Sequence, residues 1–111
     1  MQHVNARELP YRDGDSGVKY LMRGPHIDWG LIRIPPGGSL GAHFHEQVEE
    51  TFYVLAGEGV LTANGQAFAA TPGDVFRLDP RDSHDIANQG GAPLELVFIK
   101  CPYIPEDKVN L

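Results

Sequence analysis

The residues best suited to chemistry in this chain are His43 and His45, separated by Phe44, and Glu50 a little further on. Side chains alternate faces along an extended strand, so His43 and His45 project to one side and Phe44 to the other. A short polar run, Glu46-Gln47, can turn the chain. Glu50 then opens a second apolar run, Thr51-Phe52-Tyr53-Val54-Leu55. Two neutral imidazoles and a carboxylate brought together by adjacent strands suit a divalent transition metal. A His-x-His pair alone is common, so the reading leans on Glu50 and on a third histidine. In His84-Asp85-Ile86-Ala87-Asn88, the residues His84, Ile86 and Asn88 share a face, and Ile86 marks it as the core side. Taken alone, His84 is either a satisfied core histidine or a ligand. The turn residues Pro72-Gly73-Asp74 place it one hairpin after the first motif, where it can face His43 and His45 across a barrel.

The elements that must position these residues are all strands. Gly17 to Arg23, Ile27 to Ile34, Leu40 to His45 and Glu50 to Leu55 read as the first four. Val60 to Ala63, Gln66 to Ala70, Val75 to Leu78, Ser83 to Ala87 and Leu94 to Cys101 follow. Pro35-Pro36-Gly37-Gly38 is a strong turn signal, and Asn64-Gly65 is the favoured type I′ hairpin turn. Gly57 and Gly59 read as a bend or bulge. No segment has clear helical periodicity, so the fold expected is an all-β sandwich or barrel with little or no helix. It is one domain: a lead-in loop over 1–16, a barrel over 17–101 and a C-terminal strap over 102–111. In the last long strand Leu94, Leu96 and Phe98 share one face while Val97 and Ile99 lie on the other. Such a strand needs cover on both sides, from the tail or from a second subunit.

The spacing Gly37-x5-His43-x-His45-x4-Glu50-x6-Gly57 resembles the first conserved motif of the cupin superfamily. Gly73-x5-Asp79-x-Arg81-x2-His84-x3-Asn88 resembles the second. Here the chain departs from the pattern: Asp79 stands where the motif usually has Pro, and Arg81 where it usually has Gly. Pro80 lies one position along, so the turn is expected to be rebuilt rather than lost. The resemblance implies a small one-barrel cupin, a double-stranded β-helix or jelly roll. It also implies one metal per chain held by His43, His45, Glu50 and His84. Three nitrogens and one anionic oxygen suit iron, manganese, nickel, copper or zinc. Four protein ligands in an octahedron leave two positions for a substrate, or for substrate plus dioxygen.

Charge and composition bound the remaining possibilities. The formal net charge of −6 and the scattered Lys and Arg argue against nucleic acid or an acidic membrane surface as partner. No apolar run approaches the length of a transmembrane helix, and the first residues lack the apolar core of a secretory signal. The single Cys101 fits a reducing compartment, so cytoplasm is the expected location. Cys101 itself reads as a small core or interface residue. Glu49 reads as solvent-facing, His26 as a surface loop residue and His3 as part of the lead-in. Arg33, Trp29 and Tyr53 lie near the motif and are candidates to line a pocket, although packing is the simpler role for Trp29 and Tyr53. The expected activity is metal-dependent chemistry on a small organic molecule, with oxidation of the dioxygenase type favoured. The alternatives are isomerisation or epimerisation of sugar-like substrates, and non-catalytic binding of a small ligand. A homodimer is expected, with the strand Val18 to Met22 a candidate to pack on the partner.

Overall fold

The computed structural model describes all 111 residues. Ten strands run in order: β1 (Gly17–Arg23), β2 (Asp28–Ile34), β3 (His43–Phe44), β4 (Glu49–Ala56), β5 (Gly59–Ala63), β6 (Gln66–Ala70), β7 (Val75–Leu78), β8 (His84–Asn88), β9 (Leu94–Cys101) and β10 (Val109–Asn110). The one helical piece is a single 3-10 turn, Ala6–Glu8, whose Arg7 N–H donates to the Asn5 side chain at 2.9 Å. Two five-stranded antiparallel sheets face each other. The first has the order β1-β2-β9-β4-β7 and the second β10-β3-β8-β5-β6.

Period-two burial builds the space between the sheets. In β2, Asp28, Gly30, Ile32 and Ile34 are buried while the residues between them are half-exposed. In β9, Leu94, Leu96 and Phe98 do the same, and in β4 Glu50, Phe52 and Val54. Register aligns these rows: Phe52 lies opposite Phe98 on one side and Phe76 on the other. Leu61 and Ile86 come in from the second sheet and complete the apolar core. Each such side chain contributes about 1.5–3 kcal/mol when fully buried. Asn64 and Gly65 both take positive φ and close a two-residue hairpin between β5 and β6. Gly57 also has positive φ, and a Cβ there would run into the backbone of Pro93 and Leu94, so the bend at the end of β4 requires glycine.

Three expectations change. The third strand does not span Leu40 to His45 but only His43–Phe44. Gly41 takes a φ of +90° and its N–H is claimed by the Asp85 carboxylate at 2.9 Å, which interrupts the extended run before His43. The second strand begins at Asp28 rather than Ile27, which is exposed. The tail does not cover the outer face of β9. It pairs with the opposite sheet, with Val109 beside Phe44 and Asn110 beside His43. The outer face of β9 therefore stays open: Ile99 is 39% exposed, and Cys101 is exposed rather than part of the core. The lead-in instead lies over the outer side of β1, where Lys19 donates to the Ala6 carbonyl at 2.8 Å and sits over the Tyr11 ring.

Candidate metal centre

Both sheets contribute to one end of the interior. Glu50 enters from β4 of the first sheet. His43 from β3 and His84 from β8 enter from the second, directly opposite each other in register. His45 lies just past β3, in a loop whose backbone is tied on both sides. The Arg81 N–H donates to the His45 carbonyl at 2.6 Å, and the tail holds the following residues. His43, His45, Glu50 and His84 are each at most 4% exposed. One donor atom from each lies within 4.8 Å of the others. The structure therefore brings together all four residues singled out by spacing and resemblance.

The hydrogen bonds behind the rings orient them. His43 Nδ1 meets the Gly41 carbonyl at 2.7 Å, His84 Nδ1 meets the Asp82 carbonyl at 2.8 Å, and His45 Nδ1 meets the Asp107 carbonyl. A carbonyl oxygen only accepts, so each Nδ1 donates and carries a proton. In a neutral ring the other nitrogen, Nε2, is then a lone pair. The three Nε2 atoms converge on Glu50 Oε1, at 4.0 Å for His43, 3.2 Å for His45 and 3.4 Å for His84. Three lone pairs and a carboxylate oxygen facing one another repel unless a proton or a cation stands among them. Ring nitrogens held from behind by carbonyls are also how metal-ligating histidines are oriented. The donor set thus fits a divalent cation. Burial pushes the Glu50 carboxyl up; with the rings protonated at Nε2 as well, bonds from His43, His45 and His84, together with the nearby charge of Lys100, outweigh it. The group is held well below the usual carboxylate range and is ionised, as a ligand must be.

The rebuilt turn before His84 keeps the shape that glycine would give it. Arg81 takes a φ of +73°, the left-handed region that an L side chain adopts only under constraint. Its N–H bond to His45, together with the Asp82 carboxylate accepting from the Asp79 N–H at 2.9 Å, holds it there.

Sequence reasoning passed over Asp107. Its carboxylate accepts from the N–H groups of Glu46, Gln47 and Val48 at 3.1, 2.7 and 2.9 Å, fastening the loop between the second histidine and the glutamate. Burial raises its carboxyl, yet these three backbone donors pull the group below its ordinary value. Only its Pro-containing tail position marked it in the sequence, and that carries no signal of a contact with residue 45. A cavity of about 200 Å³ opens from the donor set. Its walls include Tyr20, Leu40 and Phe98, with Ile104 and Pro105 from the tail. Arg33, Trp29 and Tyr53 do not line it. They alternate to the outer face of the first sheet, where Arg33 lies 3.6 Å from Glu95 and Tyr53 is 43% exposed. His26 and His3 are exposed and far in sequence from the site, and Glu49 points to the opposite face from Glu50.

A family model described as a cupin domain matches residues 30–100. An oxalate-binding protein of Thermotoga maritima is 41% identical over 68 residues, which is 61% of this chain and 56% of that protein. The match thus spans little more than half of that relative's length. A predicted oxalate decarboxylase from the same organism superposes with a TM-score of 0.70 at 27% identity, covering 91% of this chain and 99% of the other. A Klebsiella pneumoniae protein with a double-stranded beta-helix domain gives a TM-score of 0.83 over 99% of this chain and 96% of its own. At 18% identity, that likeness concerns the fold.

Proposed function

This chain belongs to the cupin family, and on that footing we propose that it is a metal-dependent protein acting on a small organic molecule, with oxidation by dioxygen the reaction its site suits best. The observation that carries this is the convergence of three Nε2 lone pairs, each ring fixed from behind by a backbone carbonyl, on the buried Glu50 carboxylate. A divalent metal held by His43, His45, Glu50 and His84 would supply Lewis-acid polarisation of substrate oxygens and, if redox-active, electrons for dioxygen.

The chain's own residues bind and orient. Tyr20 and Phe98, packed edge to face at 5.5 Å, and Leu40 form the apolar wall against which a substrate lies. The tail residues Ile104 and Pro105 narrow the mouth and limit water. No uncommitted carboxylate or imidazole lines the cavity: Glu50 and the histidines form the donor set, and the Asp107 carboxylate is taken by three N–H groups. Redox chemistry needs the fewest protein acids and bases, which favours it here.

One observation favours isomerisation instead. Lys108 lines the cavity, and partial burial, then Lys100 and Arg12, lower the pKa of its ammonium from the ordinary value. The name of the oxalate-binding relative supports a third reading, binding without turnover. Elemental analysis of the purified protein is the first test, with close to one transition metal per chain expected. Oxygen uptake by the metal-loaded protein is then followed with catechols, thiols, diketones and sugar acids. Uptake that needs both metal and one of these compounds supports oxidation. Conversion without oxygen uptake moves the assignment to isomerisation, and binding without conversion moves it to a binding module. A protein that purifies and reconstitutes without metal would overturn the proposal.

The open outer face of the first sheet also supports a homodimer. Leu31, Val97, Tyr53 and Val75 form one apolar row across four strands, with Val75 60% exposed. Light scattering should give a mass near twice 12.2 kDa, and a mass near 12.2 kDa would remove the dimer.

A further inference from the structure

The protein is acidic, with 15 Asp and Glu against 9 Lys and Arg, yet three of those nine cations line the cavity onto which His43, His45 and Glu50 open. They are Arg12 from the lead-in, Lys100 from β9 and Lys108 from the tail. The two ends of the chain deliver like charges to one place, which folding alone does not favour. The chain's close ion pairs of Arg side chains engage Arg23, Arg33 and Arg77, and none engages Arg12, Lys100 or Lys108.

The neighbouring acids are already committed. Asp28, across from Lys100 in the sheet, is gripped by both Arg23 nitrogens at 3.1 and 3.0 Å. The Asp107 carboxylate is filled by three backbone donors. Glu50, the remaining acid of the lining, belongs to the donor set. The backbone that carries the cations is anchored. The Arg12 backbone N–H donates to the Val18 carbonyl at 2.8 Å. Lys108 follows directly on Asp107. Lys100 reaches in over Phe98, its nitrogen 5.3 Å from the ring centre. The lowered Lys108 ammonium reports the mutual repulsion, since Lys100 and Arg12 are among its causes after burial.

Resting on the metal reading above, we propose that Arg12, Lys100 and Lys108 form an anion-binding cluster that selects a small organic acid bearing two negative charges, one end bound at the metal and the other at the cluster. A divalent cation less the Glu50 charge leaves a single positive charge at the centre, and one carboxylate balances it. The three cations then require a second anionic group on the same molecule. The cavity of about 200 Å³ keeps that molecule short, being smaller than the roughly 300–1,000 Å³ of sites for drug-sized ligands. The family match covers residues 30–100, so Arg12 and Lys108 lie outside it and Lys100 at its last position. Two of the three cations thus come from the lead-in and the tail, and the third from the barrel strand β9.

Isothermal titration on zinc-loaded protein tests this, using unbranched dicarboxylates of two to five carbons and the monoamide of each. Metal content is measured on the same samples. The best diacid should bind at least about tenfold more tightly than its monoamide, the scale of one charge-assisted contact. That gap should shrink severalfold in Arg12→Gln and in Lys108→Gln, with zinc content unchanged, and should narrow as salt is raised. Arg12 and Lys108 are exposed, so neither change removes core packing, and unfolding curves confirm intact protein. A monoamide that binds as tightly as its diacid, or a gap that survives in both variants, would overturn the cluster. Loss of zinc binding in the unaltered protein would instead sink the metal reading, and the diacid–monoamide gap would still be measured on that protein to decide the cluster.

Discussion

Along β4 the side chains entering the barrel are Glu50, then Phe52, then Val54; along β8 they are His84, then Ile86, then Asn88. One step of two residues, about 7 Å of strand, separates the donor set from the apolar core. The two halves are equally buried but held by different forces. Phe52, Val54, Leu61, Ile86, Leu94 and Leu96 gain their stability from area removed from water. The donor half loses hydration and is held by the hydrogen bonds that its rings donate to the Gly41, Asp82 and Asp107 carbonyls. Asn88 shows the same rule at the far end of β8: its amide donates to the Ile34 and Ala92 carbonyls at 2.9 and 2.8 Å and accepts from the Gly90 N–H. The contrast teaches that fold stability and site chemistry are carried by neighbouring but separable layers.

Substitution in the apolar half tests the separation most severely. Phe52→Ala is expected to lower unfolding free energy by about 3–5 kcal/mol, measured by chemical denaturation, because it opens a cavity between Phe98 and Phe76. A loss below about 1 kcal/mol would mean that this layer does not carry the fold.

In the donor half, His84→Ala should do the reverse. Metal affinity should fall by more than about 100-fold, beyond the range seen when only an orienting partner is lost, while the metal-free protein keeps most of its stability. Full metal retention would remove His84 from the site. Acid should empty the site in the same way, since the imidazole nitrogens must be free of protons to bind a metal. A metal content that stays flat to about pH 4 would argue against histidine ligation. Glu50 does not set that step. Its carboxyl is held well below 4.5, so its contribution to the metal-free fold is complete above that pH and is lost only as the pH falls through its lowered value.

Asp107→Ala crosses between the layers, since it touches neither the core nor the donor atoms. Freeing the N–H groups of Glu46, Gln47 and Val48 should cost about 1 kcal/mol, and the loosened carbonyl behind His45 should weaken metal binding by roughly 10-fold. The Asp107 carboxyl also sits below its ordinary value, so the strap it forms is intact above about pH 4 and loosens only in stronger acid. Equal metal affinity in the variant would show that the tail covers the cavity without orienting the ring.

The smallest effect is expected at Arg81. Replacing it by Gly should stabilise the protein by up to about 1 kcal/mol, because glycine holds positive φ without the Cβ clash. A destabilised Arg81→Gly protein would show that the arginine side chain contributes more than the strained backbone loses.

Much of this was legible from residue order. Period-two alternation is a local property, so the strand sequence, the Asn64-Gly65 hairpin and the core residues Phe52, Leu61, Ile86 and Leu96 could be read from neighbours in the chain. His43, His45, Glu50 and His84 could be named for the same reason, from short spacings and the resemblance they support. What lay beyond local pattern was decided by closure of the barrel. Arg33, Trp29 and Tyr53 looked close to the motif along the chain, but alternation sends them to the outer face, away from the cavity. The tail was one of two candidates to cover β9, beside a second subunit, but its backbone pairs with β3 and its Asp107 reaches a loop some sixty positions earlier. Arg12 and Lys108 meet Lys100 only because lead-in and tail close over the same mouth. A hydrogen bond or a like-charge cluster between residues so far apart depends on where the backbone returns. Side-chain spacing alone does not encode that return.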